Sequence, residues 1–196
     1  MYVITKQQRF GRGFTIVELL IVIVVIAILA AITIVSYNGI QRRASNTAII
    51  AAARDISKLI DMYKVDRGTY PLTVDYACVT TGVVCNDSDT GGAVRAQSTV
   101  FNTNIATVGA PPKSVPVSGS VGNGVIYNYH PNRQFNGVSR PAILMYFLNG
   151  EHQDCGLPNI MNNWGTTAPA YAVTSTTGYS GSGSASGKTV CYLSLN

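Results

Sequence analysis

Polar and apolar residues are spread very unevenly along this chain. From Phe14 to Val35 the only polar side chains are Thr15, Glu18 and Thr33, and Leu19 to Ile32 contains none. A helix over that stretch rises about 33 Å, enough to cross a hydrocarbon core of about 30 Å. A carboxylate in such a segment costs roughly 2.5 kcal/mol or more at mid-membrane, so Glu18 demands an explanation.

After the apolar run the pattern turns amphipathic. Ile40, Ala44, Ala48, Ala52, Ile56 and Ile60 recur every fourth residue, joined by Leu59 and Tyr63, and charged residues fill other positions. No proline precedes Pro71. The pattern predicts one helix over 14–67, apolar all round in 14–35 and amphipathic in 36–67. Ser36-Tyr37-Asn38-Gly39 interrupts it with a turn signal, and a mid-helix glycine costs about 1 kcal/mol relative to alanine. Asn38 and Gly39 therefore mark either the exposed exit from the bilayer or a hinge. Gly68-Thr69-Tyr70-Pro71 ends the helix, with Gly68 as its C-terminal cap.

Residues 72–122 read as loop-rich. Four later segments alternate or cluster β-branched and aromatic residues between Gly, Pro and Asn, and read as strands: 125–129, 142–148, 170–174 and 189–195. The Gly/Ser-rich stretch 176–188 would join the last two as a long hairpin connection. The fold class is α+β: an antiparallel sheet in a head domain, 68–196, packed on the amphipathic half of the helix.

Charge sharpens the division. The first thirteen residues carry Lys6, Arg9 and Arg12 and no acid, which places this end in the cytoplasm and the bulk of the chain across the membrane. A cleaved secretory signal has a shorter apolar region with small residues at its far end; here Ala30-Ala31 lies inside a longer run. From residue 69 onward five bases balance five acids, so there is no basic run of the kind that grips nucleic acid. Arg133 and Arg140 flank a turn and would make only a small patch.

Gly13-Phe14-Thr15-Ile16-Val17-Glu18-Leu19-Leu20 resembles the processing site of type IV pilin precursors. The resemblance spans about 25 residues, from the basic leader through the apolar helix. It implies cleavage between Gly13 and Phe14 by a prepilin peptidase, removal of the leader 1–13, and N-methylation of Phe14. Gly13 lets the peptide lie extended in a tight protease cleft. Cleavage creates an α-amine on Phe14, and Glu18, one turn further on, is its natural partner in the same or a neighbouring chain. Such a pair acts as a registry device during assembly, a well-attested use of buried ion pairs. Many pilins have a proline early in this helix where this chain has Val35, which puts the place of any kink or melted turn near Ser36–Gly39 instead.

By this resemblance the protein is a pilin-like ladle and a structural subunit, as a major pilin, of a homo-oligomeric helical filament. It starts as a single-pass cytoplasmic-membrane precursor and ends in a surface pilus serving adhesion, twitching motility or DNA uptake, which keeps nucleic acid open as a partner. An assembly platform protein and assembly ATPases are its implied partners. The alternatives are a pseudopilin of type II secretion, which the Gly-x-Tyr-Pro turn also resembles, and a minor tip pilin that binds a host ligand or DNA.

Cys78, Cys85, Cys155 and Cys191 all fall on the translocated side, where disulfides persist, and allow three connectivities. Proximity favours Cys78–Cys85, leaving Cys155–Cys191, which resembles the bridge bracketing the C-terminal region of many pilins. His152-Gln-Asp154-Cys155, with His130 elsewhere, is the rival metal or nucleophile cluster, but it lacks Cys-x-x-Cys spacing. No catalysis is expected. Asp87 and Asp89, in Asn86-Asp-Ser-Asp-Thr-Gly91, have the alternate acids of a calcium loop without its closing glutamate, and a solvated turn is the expectation.

Overall fold

The computed structural model describes residues 13–73, 76–81, 84–86, 94–112, 115–116, 122–135, 138–161, 179–180 and 187–195. The chain divides into two compact units, Met1–Gln41 and Arg42–Asn196. Helix α1, Ile16–Arg67, runs through both.

In the first unit every described side chain from Gly13 to Ile34 is exposed, with Ile16 at 86% and Ile26 at 58%. In the second unit α1 buries Asn46, Ile49, Ala52, Ala53, Ile56 and Ile60, and half-buries Ile50, Leu59 and Tyr63. This corrects the every-fourth pattern: Ile40, Ala44 and Ala48 are exposed. Four residues advance a helix about 40° beyond a full turn, so positions spaced strictly by four drift off one face. The buried strip instead steps by three and four. Gly68 takes φ +72°, and its N–H donates to the Lys64 carbonyl at 2.8 Å, which closes the helix as expected of a left-handed cap. Just beyond, the Pro71 carbonyl accepts from Tyr127 Oη at 3.0 Å.

The main sheet is antiparallel. Strands β1 (Ala77–Cys78), β4 (Val125–Tyr129), β7 (Ala142–Asn149), β10 (Lys188–Leu195) and β8 (Ile160–Met161) lie in that order, and β9 (Tyr179–Ser180) also pairs with β10. Short pairs β2 (Cys85–Asn86) with β3 (Val94–Arg95), and β5 (Gln134–Phe135) with β6 (Val138–Ser139), stand apart from it. The expected strands at 125–129, 142–148 and 189–195 are present. The one expected at 170–174 lies outside the described residues, and β9 falls in what the sequence presents as a loop.

Register sets the layers. Tyr127, Leu144 and Leu193 are opposite one another and belong to the core shared with Ile56 and Ile60 of α1. The alternate row, Ile126, Met145 and Tyr192, belongs to a second core with Phe147, Val190 and the cysteine pair Cys78 and Cys85. The sheet is thus buried on both faces, whereas a helix on one face alone would leave the other wet. The run Ala-Ile-Leu-Met-Tyr-Phe-Leu of β7, with no polar alternate, is the sequence counterpart of that double burial.

The loop-rich stretch also hides a helix, α2 (Thr99–Ile105). Ser98 caps it by accepting from the Phe101 N–H at 3.2 Å, and Phe101 and Ile105 are buried one turn apart. The Phe101 ring lies 5.0 Å from that of Tyr127.

Candidate functional site

The candidate site is the start of α1. The first helical hydrogen bond runs from the Leu19 N–H to the Thr15 carbonyl, so Thr15 occupies the N-cap position. Its hydroxyl accepts from the Glu18 N–H at 3.2 Å. Glu18 Oε2 in return accepts from the Thr15 N–H at 2.9 Å and the Thr15 hydroxyl at 2.7 Å. This is a reciprocal capping box, in which N-cap threonine and N3 glutamate satisfy each other's backbone donors. Its signal, Thr-x-x-Glu just ahead of an apolar run, stands in the sequence; considering Glu18 only as a partner for an amine overlooks it.

The cap fixes what lies on each side. Gly13 and Phe14 are outside the helix and exposed, Phe14 at 79%, and no atom comes within 4 Å of where a Gly13 side chain would begin. From Phe14 to Ile34, fifteen large apolar side chains face outward. By length and composition α1 is able to cross a membrane. Asn38 and Gly39 are helical in this structure, and a side chain at Gly39 would point into open space.

The remaining sequence candidates separate. Cys78 is joined to Cys85, and Cys155 to Cys191. The second disulfide ties β10 to the turn after β7, where Tyr146 Oη donates to the Cys155 carbonyl at 2.7 Å. His152 and Asp154 are exposed, Asp154 Oδ1 accepts from the Gly156 N–H at 2.9 Å, and His130 lies elsewhere. Among the described residues no three His, Cys, Asp or Glu side chains gather as metal ligands. Asp87 and Asp89 lie outside the described residues. Arg133 and Arg140 do meet at the foot of the β5–β6 pair: the Arg140 N–H donates to the Arg133 carbonyl at 2.9 Å, and Arg133 Nη2 donates to Asn128 Oδ1.

One further device is absent from the sequence reading. Asn46, on the buried strip of α1, donates from Nδ2 to the Asn149 carbonyl at 3.0 Å and accepts at Oδ1 from the Asn149 N–H at 2.8 Å. Asn149 Nδ2 donates to Ser45 Oγ at 3.0 Å. A buried amide thus closes the end of β7 as a neighbouring strand would, and holds α1 against the sheet. No short-range pattern signals it, because its partner is a hundred residues away.

Comparison with known proteins bears on the same segment. A family model described as the prokaryotic N-terminal methylation motif matches residues 9–34. Over 131 residues the chain is 33% identical to the type IV wide pilus major component PilA4 of Thermus thermophilus, covering 56% of this chain and all of that protein. It is 34% identical over 67 residues to type II secretion system core protein G of Klebsiella michiganensis, and 34% over 62 residues to that of Escherichia coli. These matches cover 34% and 32% of this chain and 47% and 43% of the relatives, so the chain spans less than half of each core protein G. No solved structure matches it.

Proposed function

Because this chain belongs to the type IV pilin family, we propose that it is a structural subunit, the major pilin, of a type IV pilus filament. The observation that carries this is the exposed apolar stretch of α1 beginning at a capped turn. Fifteen outward aliphatic and aromatic side chains, at about 1.5 kcal/mol or more each, are worth on the order of 20 kcal/mol when removed from water. That exceeds several-fold the roughly 2.5 kcal/mol cost of carrying Glu18 into an apolar setting. A membrane removes this surface first, and a bundle of like helices removes it later.

In this reading residues 1–13 are a leader, 14–35 the membrane and filament-core helix, 36–67 its amphipathic continuation and 68–196 the head. The exposed peptide between Gly13 and Phe14 is the cleavage site for a prepilin peptidase. The new Phe14 amine is methylated, keeps its positive charge, and meets a Glu18 carboxylate. The capping box holds Glu18 beside the backbone of Thr15, so that its carboxylate is already turned toward the end of the helix where the amine arises. Helix unwinding at Asn38–Gly39 belongs to assembly. The precursor sits in the cytoplasmic membrane with its N-terminus inside, and the finished fibre on the cell surface supports adhesion, twitching motility or DNA uptake. A platform protein and ATPases drive extension.

The pseudopilin alternative is favoured only by similarity to core protein G, confined to about a third of this chain. Shearing cells and identifying the dominant protein of the released fibres tests the proposal. Abundance of this chain, beginning with methylated Phe14, is the expected result; absence from the fibres, or an intact N-terminus at Met1, refutes it.

A further inference from the structure

Along most of the contact between α1 and the main sheet both sides are apolar, and Ile56 and Ile60 share one core with Tyr127, Leu144 and Leu193. Beside the last residues of β10 this matching fails. A groove of about 760 Å³ opens there, with Lys58, Asp61 and Lys64 of α1 on one wall and Leu157, Leu193 and Leu195 on the other. Val65, which also lines it, is 87% exposed. The volume falls in the range of small-molecule sites, roughly 300–1,000 Å³. One wall is polar and the other apolar, so an occupant that satisfies both is itself amphipathic.

The charges around the groove nearly cancel. Asp61 lies one helical turn from both Lys58 and Lys64; partial burial holds its carboxyl above the ordinary range, and Lys64 opposes that shift. Arg54, the remaining cation of the lining, and Asp154 both act on the Tyr146 hydroxyl. Three cations thus stand against two carboxylates, which leaves a single positive charge for an occupant to meet. The apolar wall narrows the choice further, because its backbone is already engaged. Leu193 is in register with Leu144 on one side and Ile160 on the other, and the Ser194 N–H donates to the Asn159 carbonyl at 3.1 Å. Pro158 has no N–H to give. A peptide laid along this wall would bury amides without partners, whereas a hydrocarbon chain has none to satisfy and gains from leaving water.

We propose that this groove binds a single-chain fatty carboxylate, with its hydrocarbon chain against Leu157, Leu193 and Leu195 and its carboxylate beside Lys58. One negative charge on the head matches the balance of the groove, whereas a phosphate monoester, at about −1.5 to −2 near neutral pH, exceeds it. The binding is a property of the head alone and does not depend on assembly into a filament.

The test is photolabelling of the full chain, held in phosphatidylcholine nanodiscs, by dodecanoate with a terminal diazirine, followed by mass mapping. Saturable labels are expected on residues 157–159 and 193–195, and labelling of 16–34 by probe dissolved in the bilayer serves as the reference. From octanoate to dodecanoate, unlabelled competitors should protect the groove about fourfold better for each added methylene. Dodecanol and dodecylammonium should not protect it, and dodecyl phosphate should protect it less well than dodecanoate. Lys58→Glu should weaken labelling about fivefold, the scale of one exposed ion pair, and should transfer protection from dodecanoate to dodecylammonium. Lys58 is exposed, and an unchanged melting temperature separates lost binding from lost fold. Labels confined to 16–34, equal protection by dodecanol and dodecanoate, better protection by dodecyl phosphate, or native labelling of a folded Lys58→Glu chain each overturns the proposal.

Discussion

Residues 16–34 and residues 46–63 belong to one helix, yet the first stretch keeps every side chain in the open and the second buries a continuous strip. The apolar stretch is the richer of the two in aliphatic side chains and has no protein surface to receive them. The amphipathic stretch has fewer, but a sheet lies against it. Helical propensity is common to both; what separates them is whether the partner surface is part of the same chain. The head completes its own core, and the first unit needs a second solvent or other subunits.

Substitutions can break this contrast, and the largest effects should fall in the head. Replacing Cys155 and Cys191 by serine opens a loop of separation 36 and should cost about 4 kcal/mol, read from urea unfolding of the full chain in detergent. Opening the Cys78–Cys85 loop of separation 7 should cost less, about 2.5 kcal/mol. Ile56→Ala, at a position 1% exposed, should cost about 3 kcal/mol in the same assay. Ile26→Ala should leave the head's unfolding midpoint unchanged and lower only fibre yield. Equal losses from both would erase the distinction between the two stretches.

Asn46→Ala removes both hydrogen bonds to Asn149 and strands two backbone groups, for about 2 kcal/mol; an Asn46→Leu variant that recovered full stability would show the clamp to be dispensable. Thr15→Ala should cost about 1 kcal/mol, confined to the first turn, and amide exchange at residues 16–19 should speed up while the head is unaffected.

The smallest effect concerns pH. Lys188 is half-buried where its ammonium donates to the Gly122 carbonyl at 2.6 Å, and burial pushes its pKa down to about 8. The unfolded chain then holds more protons than the folded one between pH 8 and the ordinary lysine range, so stability from this group rises with pH over that window. Tyr127 and Tyr146 are pushed upward by burial, so their contribution falls once pH passes about 10. A melting temperature that climbs from pH 8 toward 10 in the native chain and stays flat in Lys188→Met is the expected pattern.

Much of this was written locally. The apolar run, the Gly68 stop, three strands and the Thr15–Glu18 cap each depend on residues within a turn or two of one another. The cap could be found from Thr-x-x-Glu alone, once Glu18 is considered as a helix residue and not only as half of an ion pair. The seven-residue helix α2 was obscured because only Phe101 and Ile105 among its residues are buried, within a stretch dominated by loop formers.

What the sequence by itself determined is therefore the nature of each element and the mismatch between a membrane-length apolar helix and a charge at its start. Only the tertiary structure decided which strip of α1 is buried, that the sheet is covered on both faces, and that Asn46 clamps Asn149. Local preference sets a backbone's period within a few residues. The choice of face, layer and partner depends on contacts between segments a hundred residues apart, and these exist only once the chain has closed on itself.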